Sequence, residues 1–170
     1  FTNVNAEIFC FGDSTGAIDL TVTGGTTPYT YNWSNNEITE DITGIPSGVY
    51  TVTVTDSNNC SQNTSIDVIE PTEMIINSSF LDPVCQLGTQ GSIDLDVVGG
   101  TPGYTYSWNN AETIDSIINL NAGTYTCVVI DSNQCVDTVA ITLTDPDAVV
   151  VSHTQVDVLC YGDSTGSIDI

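Results

Sequence analysis

A single offset of 75 residues organises the whole chain. Cys10, Cys85 and Cys160 are spaced by 85 − 10 = 75 and 160 − 85 = 75. The same step carries Gly16 to Gly91 and Gly166, and Asp19 to Asp94 and Asp169. It also carries Trp33 to Trp108, Tyr50 to Tyr125, Cys60 to Cys135 and Pro71 to Pro146, with no insertion or deletion. Self-similarity at a fixed period means stacked copies of one structural unit. The chain therefore reads as one repeat over 1–72, a second over 73–147 and the start of a third over 148–170. The end at Ile170 falls inside the segment matching Ile18–Val22, an expected strand, so the sequence reads as a window onto a longer array. The Phe1 start shows no signal peptide and reads as a mature or excised piece.

Each repeat is expected to be all-β. Along Ala17–Val22, Ile18, Leu20 and Val22 point one way and Asp19 and Thr21 the other, the period-2 pattern of a half-buried strand. Tyr29, Tyr31 and Trp33 share a face opposite Thr30 and Asn32. In Gly48–Asp56, Tyr50, Val52 and Val54 face inward and Thr51, Thr53 and Thr55 outward. Asp56-Ser57-Asn58-Asn59 is a turn into a last strand near Thr64–Ile69, and the Gly24–Pro28 and Ile45–Gly48 segments supply the other breaks. No segment has helical periodicity. About seven short strands with a Trp on the third predict tandem immunoglobulin-like β-sandwiches in a head-to-tail array. Glu70-Pro71-Thr72 and Asp145-Pro146-Asp147 mark short, stiff joints.

Composition removes several functions. The chain has 22 acidic residues and no Lys or Arg, for a net charge of −22. Without bases there is no electrostatic source for binding nucleic acid or anionic lipid. Phosphate-loop lysines, Schiff-base lysines and arginine fingers are excluded as well. Only 13% of residues are charged, so Val, Ile, Thr and Tyr can still build a core. No apolar run approaches the roughly 18 residues of a membrane span, and no membrane insertion is expected of this segment.

Several residues together carry a family resemblance: Cys10, Gly12, Gly16, Ile18-Asp19-Leu20, Gly24-Gly25-Thr26, Pro28–Tyr31, Trp33-Ser34, Gly48, Tyr50–Asp56 and Cys60. The combination resembles the SprB-type repeat of bacterial cell-surface adhesins, across both full repeats and the opening of the third. The second repeat departs at Gln86-Leu87-Gly88 for Phe11-Gly12-Asp13 and at Pro102-Gly103 for Thr27-Pro28. The resemblance implies an extracellular, surface-located protein exported by type 9 secretion, forming filaments and adhesins of gliding bacteria and their relatives.

A Cys pair recurring in each acidic β-repeat reads as a disulfide framework in an oxidising space. The separation 60 − 10 = 50 lacks the short paired knuckle of a zinc site. The conventional pairing lies within repeats, Cys10–Cys60 and Cys85–Cys135, with Cys160 awaiting a partner. Topology raises a second. Cys10 precedes the second strand at one end of a sandwich, and Cys60 follows the penultimate strand at the other. A six-residue strand spans roughly 20 Å, whereas bonded Cys Cα atoms lie within about 7 Å. Head-to-tail stacking would then favour Cys10–Cys135, a staple between repeats. Cys127 replaces Val52 on an inward position and reads as a buried free thiol.

Other candidate chemistry is thin. Asp19, Asp41, Asp56 and Glu37 carry no signature of a glycosidase pair, and His153 has no triad company, so no catalytic residue is assigned. The Tyr29–Tyr31–Trp33 row is read as core rather than a sugar platform. Calcium is the one cofactor considered, with Glu70 and Glu73 in the linker and Asp131 and Asn133 in the facing turn as ligands. Ser14, Ser116 and Thr138 stand in Asp-Ser/Thr-x triplets that resemble O-glycosylation sites of such bacteria, and Asn32 and Asn63 begin Asn-type sequons.

The expected role is a structural segment of a long extracellular filament or cell-surface adhesin, including a gliding-motility adhesin. Its expected partners are neighbouring repeats, with surface glycans or other filament proteins beyond them. Two rivals stand beside it: a glycan- or surface-polymer-binding module, and the accessory stalk of a secreted enzyme.

Overall fold

The computed structural model describes residues 2–85, 87–158, 160–162, 164 and 166–169. Phe1, Gln86 and Ile170, on which sequence readings rested, lie outside them. The described chain is all-β. The first repeat contains β1 (Thr2–Ala6), β2 (Gly16–Thr21), β3 (Thr30–Trp33), β4 (Ile42–Ile45), β5 (Gly48–Thr55) and β6 (Ser61–Val68). The second contains β7 (Ile75–Leu81), β8 (Gly91–Val98), β9 (Thr105–Trp108), β10 (Ser116–Leu120), β11 (Gly123–Ile130) and β12 (Val136–Leu143). A last antiparallel pair, β13 (Thr154–Val156) and β14 (Ser167–Asp169), repeats the first two strands.

Two three-stranded sheets face each other in each repeat, β1-β2-β4 on β3-β5-β6 and β7-β8-β10 on β9-β11-β12. Lettered in chain order, these are the A-B-E and C-F-G sheets of an immunoglobulin sandwich. The expected seventh strand, D, is absent among the described residues. Its place is taken by residues 34–41, an exposed polar loop tied to the core by Trp33, whose Nε1 donates to the Thr39 carbonyl at 2.8 Å. Trp108 does the same to Ile114 at 2.9 Å.

Alternation closes each sandwich. Ile18, Leu20, Trp33, Tyr50, Val52, Val54, Ile66 and Val68 form one buried cluster, joined by Ile8, Ile42 and Ile45. Ile93, Leu95, Trp108, Ile117, Leu120, Cys127, Val129, Ile141 and Leu143 form the other. The period-2 rule fails on β4, where the two buried residues are three apart, Ile42 and Ile45. The register against β2 slips between Gly16 and Ala17, leaving Gly44 as an extra residue at φ 70°. Asn119 fills the same bulge in β10 at φ 60°. Gly and Asn are the residues that adopt this conformation at low cost.

A second fastening closes the turn before β5. Tyr50 Oη donates to the Pro46 carbonyl at 2.9 Å, and Tyr125 Oη to the Asn121 carbonyl at 3.0 Å. This is the tyrosine corner of immunoglobulin-like domains. It lies two residues before Val52 and Cys127, the site of the second core cysteine in antibody domains.

Candidate functional site: the joint between repeats

Strand directions give each sandwich two ends. The lower end of the first repeat holds the β1–β2 loop and the exit of β6, and the upper end holds the β2–β3 loop and the β5–β6 turn. β6 ends at Val68 and β7 begins at Ile75, so the lower end of the first repeat leads into the upper end of the second. The joint between them is the candidate site.

Its upper half is a turn built by one aspartate. Asp131 Oδ1 accepts the backbone N–H groups of Asn133 (2.8 Å) and Cys135 (2.9 Å), and Oδ2 accepts that of Thr101 (2.8 Å). Asp131 is 2% exposed, the one buried charged side chain among the described residues, and these donors replace its lost water. The turn aims Asn133 outward and places Cys135 on the rim.

The lower half is the β1–β2 loop. The Phe9 carbonyl accepts a hydrogen bond from Asn133 Nδ2 at 3.0 Å. The next residue, Cys10, is bonded to Cys135, with Cα atoms 5.6 Å apart. This corrects the within-repeat pairings Cys10–Cys60 and Cys85–Cys135. The reason is strand length: Cys10 lies in the β1–β2 loop at the lower end of the sandwich and Cys60 in the turn at its upper end, with eight-residue β5 between those ends, a span of about 26 Å. Cys60, Cys85 and Cys160 are exposed and unbonded, and Cys127 is buried. Burial pushes the Cys127 thiol above its ordinary pKa, against a smaller opposing effect of the Ser107 backbone.

The linker completes the joint. Thr72, Glu73 and Met74 lie across Gly99-Gly100, and the Gly100 N–H donates to the Thr72 carbonyl at 2.8 Å. A Cβ at Gly99 would stand 1.8 Å from the Glu73 carbonyl oxygen, so only glycine fits. A cleft of about 440 Å³ remains between β1–β2 loop, linker and turn, lined in part by Asp13, Glu73, Asp131 and Asp137.

The four expected calcium ligands are placed differently from one another. Asp131 is occupied as above, and Asn133 Nδ2 also donates to Thr101 Oγ1 at 2.9 Å. Glu70 belongs to the lower end of its own repeat, where Oε2 accepts the Gly12 N–H (2.7 Å) and Oε1 the Ser47 hydroxyl (2.8 Å). Glu73 is exposed. No group of three or more His, Cys, Asp or Glu side chains suited to a metal occurs among the described residues.

The remaining candidates are scattered. Ser14 and Thr138 are exposed, and Ser116 is half-buried with its hydroxyl donating to Asp94. Asn32 and Asn63 are exposed on β3 and β6. Asp41 is engaged by the Leu20 N–H at 2.9 Å. Tyr29 and Tyr31 pack against the core beside buried Trp33. Burial, then a hydrogen bond with Glu40, pushes the Tyr31 hydroxyl up to about 12. Sequence reasoning missed the anchoring role of Asp131 and its counterpart Asp56. The signal was present in both turns, as Asp-Ser-Asn-x-Cys recurring one step of 75 apart.

Comparison with known proteins agrees with the internal period. The SprB repeat matches residues 2–37 and 77–113, whose starts are 77 − 2 = 75 apart. No curated protein matches the sequence. Among solved structures, a C-terminal 282-residue fragment of intimin, in complex with the translocated intimin receptor's intimin-binding domain, is 17% identical with TM-score 0.46. That alignment covers 84% of this chain and 63% of the fragment. The amphioxus IgVJ-C2 molecule is 14% identical with TM-score 0.36, covering 78% of this chain and 97% of that one. Murine CEACAM1b is 14% identical with TM-score 0.31, covering 79% and 94%. Residues 2–37 and 77–113 thus each match the SprB repeat, one in each of the two tandem sandwiches.

Proposed function

We propose that the chain is a shaft segment of an extracellular filament or cell-surface adhesin. The Cys10–Cys135 bridge carries this reading, because it fastens one repeat to the next where a flexible linker would let them swing. Repetition gives reach from one small design. The acidic surface, with a net charge of −22, repels its own copies and resists bundling. Lacking Lys and Arg, the shaft offers trypsin-like proteases no site. The aromatic row that a glycan-binding reading would need is packed against the core, which favours the shaft over that rival.

The finer role we infer is that of a gliding adhesin. Beads coated with antibody against the chain and tracked on living cells test both levels. Beads that bind and travel along the surface support the gliding role, and beads that bind and stay put support a static filament. Beads that never bind to intact cells overturn the surface assignment.

A further inference from the structure

The upper ends of the two repeats are built alike and used differently. Asp56 repeats the work of Asp131: Oδ1 accepts the N–H groups of Asn58 (2.8 Å) and Cys60 (2.9 Å), and Oδ2 that of Thr26 (3.0 Å). Asn58 Nδ2 donates to Thr26 Oγ1 at 3.0 Å, as Asn133 does to Thr101 Oγ1 at 2.9 Å. The turns share a left-handed residue, Asn59 at φ 63° and Gln134 at φ 70°. Both Gly pairs are left-handed too, Gly24-Gly25 at 83° and 69° and Gly99-Gly100 at 76° and 58°.

What differs is the occupant. In the second repeat Asn133 and Cys135 are half-buried beneath the β1–β2 loop, and the linker fills the space over Gly99. In the first, Asn58 and Cys60 are exposed, and a Cβ built on Gly24 would meet nothing within 4 Å. A cleft of about 460 Å³ opens there, bounded by Gly24, Gly25, Asp56 and Cys60. Asn58 Nδ2 gives one N–H to Thr26 Oγ1, and its second, which in Asn133 meets the Phe9 carbonyl, has no such partner among the described residues.

We propose that this upper face is a socket for the β1–β2 loop of a further repeat of the same kind, held covalently through Cys60. The incoming loop supplies a carbonyl to Asn58 Nδ2, as Phe9 does to Asn133, and a cysteine to Cys60, as Cys10 does to Cys135. Val84-Cys85 is the matching loop at the lower end of the second repeat, and it is exposed. The bond forms by thiol–disulfide exchange. The Cys60 thiol loses its proton to solvent, and the thiolate attacks the loop cysteine carried as a mixed disulfide with a low-molecular-weight thiol. The new S–S bond forms as the old one breaks, and the small thiolate leaves with the electron pair. Joining of repeats through this socket does not depend on what the array adheres to.

The test uses the 170-residue chain and a peptide copying Glu7–Asp13, its cysteine carried as the mixed disulfide with thionitrobenzoate. Release of thionitrobenzoate gives the rate, and mass mapping gives the site. Cys60, Cys85 and Cys160 are all exposed, so without a socket they react alike. The expected result is a preference for Cys60 of about tenfold over the other two, the worth of one or two hydrogen bonds. It should vanish with a scrambled peptide and largely vanish in Asn58→Ala, while the off-socket variant Asn35→Ala keeps it. Equal labelling of the three thiols overturns the proposal, as does an Asn35→Ala loss matching that of Asn58→Ala. Thermal melts of both variants confirm that the sandwiches remain folded.

Discussion

At the lower end of the first repeat, both oxygens of Glu70 find donors, the Gly12 N–H and the Ser47 hydroxyl. One step of 75 residues on, Asp145 accepts the Leu87 N–H at 3.3 Å, but its Oδ1 is buried without a partner. Two substitutions separate the sites: Asp145 is one methylene shorter than Glu70, and Ala122 stands where the first repeat has Ser47. The cores differ in the same measured way. Val52 becomes Cys127, both fully buried, and the sandwich closes around either. The two repeats therefore keep the contacts of the paired Asp, Trp and Tyr residues that fix their turns and loops, and drift in side chains that fill or satisfy.

The largest test of that comparison removes a feature both share. Trp33→Ala and Trp108→Ala should each destabilise their own sandwich by about 3–5 kcal/mol. Hydrogen exchange read separately over the two repeats checks this, and equal collapse of both repeats in either variant would break the picture of separate cores.

Next come the two anchoring aspartates. Asp131→Ala leaves three N–H groups without their acceptor in a buried turn, for a loss of about 3 kcal/mol. Asp56→Ala at the open upper end should cost clearly less, because water can replace the carboxylate. Chemical denaturation of each variant ranks the pair. The same turn gives a pH dependence. The N–H groups of Cys60, then Thr26 and Asn58, hold the Asp56 carboxyl below its ordinary value of 3.8, partly opposed by desolvation. Its contribution is present above that value and disappears as pH falls through the lower folded one. Protection of the Cys60 amide, taken relative to its intrinsic exchange rate at each pH, should therefore fall below pH 3.8 in wild type and show no such acid step in Asp56→Asn.

Smaller effects are expected at single hydroxyl groups. Tyr50→Phe and Tyr125→Phe should each cost about 1 kcal/mol, equally in the two repeats, since both lose one hydroxyl bond to a turn carbonyl. Ala122→Ser restores the donor that Asp145 lacks and should stabilise the second repeat by about 0.5–1 kcal/mol. Ser47→Ala should produce the mirror loss in the first. Differential scanning calorimetry reads both pairs.

How much of this was legible in the residues depends on range. β2, β3, β5 and β6 follow from strict alternation, and the sandwich from their number and the Trp. β4 was not legible, because Gly44 inserts an extra residue and turns a period of two into a spacing of three. The missing D strand was not legible either, since the Glu37–Asp41 stretch holds Ile38 amid polar neighbours and reads equally as loop or short strand. At the joint, the cysteines and the head-to-tail geometry brought Cys10–Cys135 into view without deciding it. The choice required strand directions: which end of the sandwich each cysteine occupies is a fact of topology that spacing alone does not contain. Acid placement was least legible. Glu70 and Asp131 look alike as linker and turn carboxylates, yet each is committed to backbone N–H groups of its own repeat.

The bridge between Cys10 and Cys135 also changes what happens when the molecule is pulled. Tension entering at one end leaves the backbone at Cys10, crosses two sulfur atoms and rejoins it at Cys135, so the 125-residue interval between them carries no load. Released, that interval would pay out about 430 Å of slack at full extension. Closed, it stays folded under forces that would unravel either sandwich alone. Strength along this stretch of chain is set by a covalent bond, and the redox state of its surroundings decides whether it behaves as a cable or a spring.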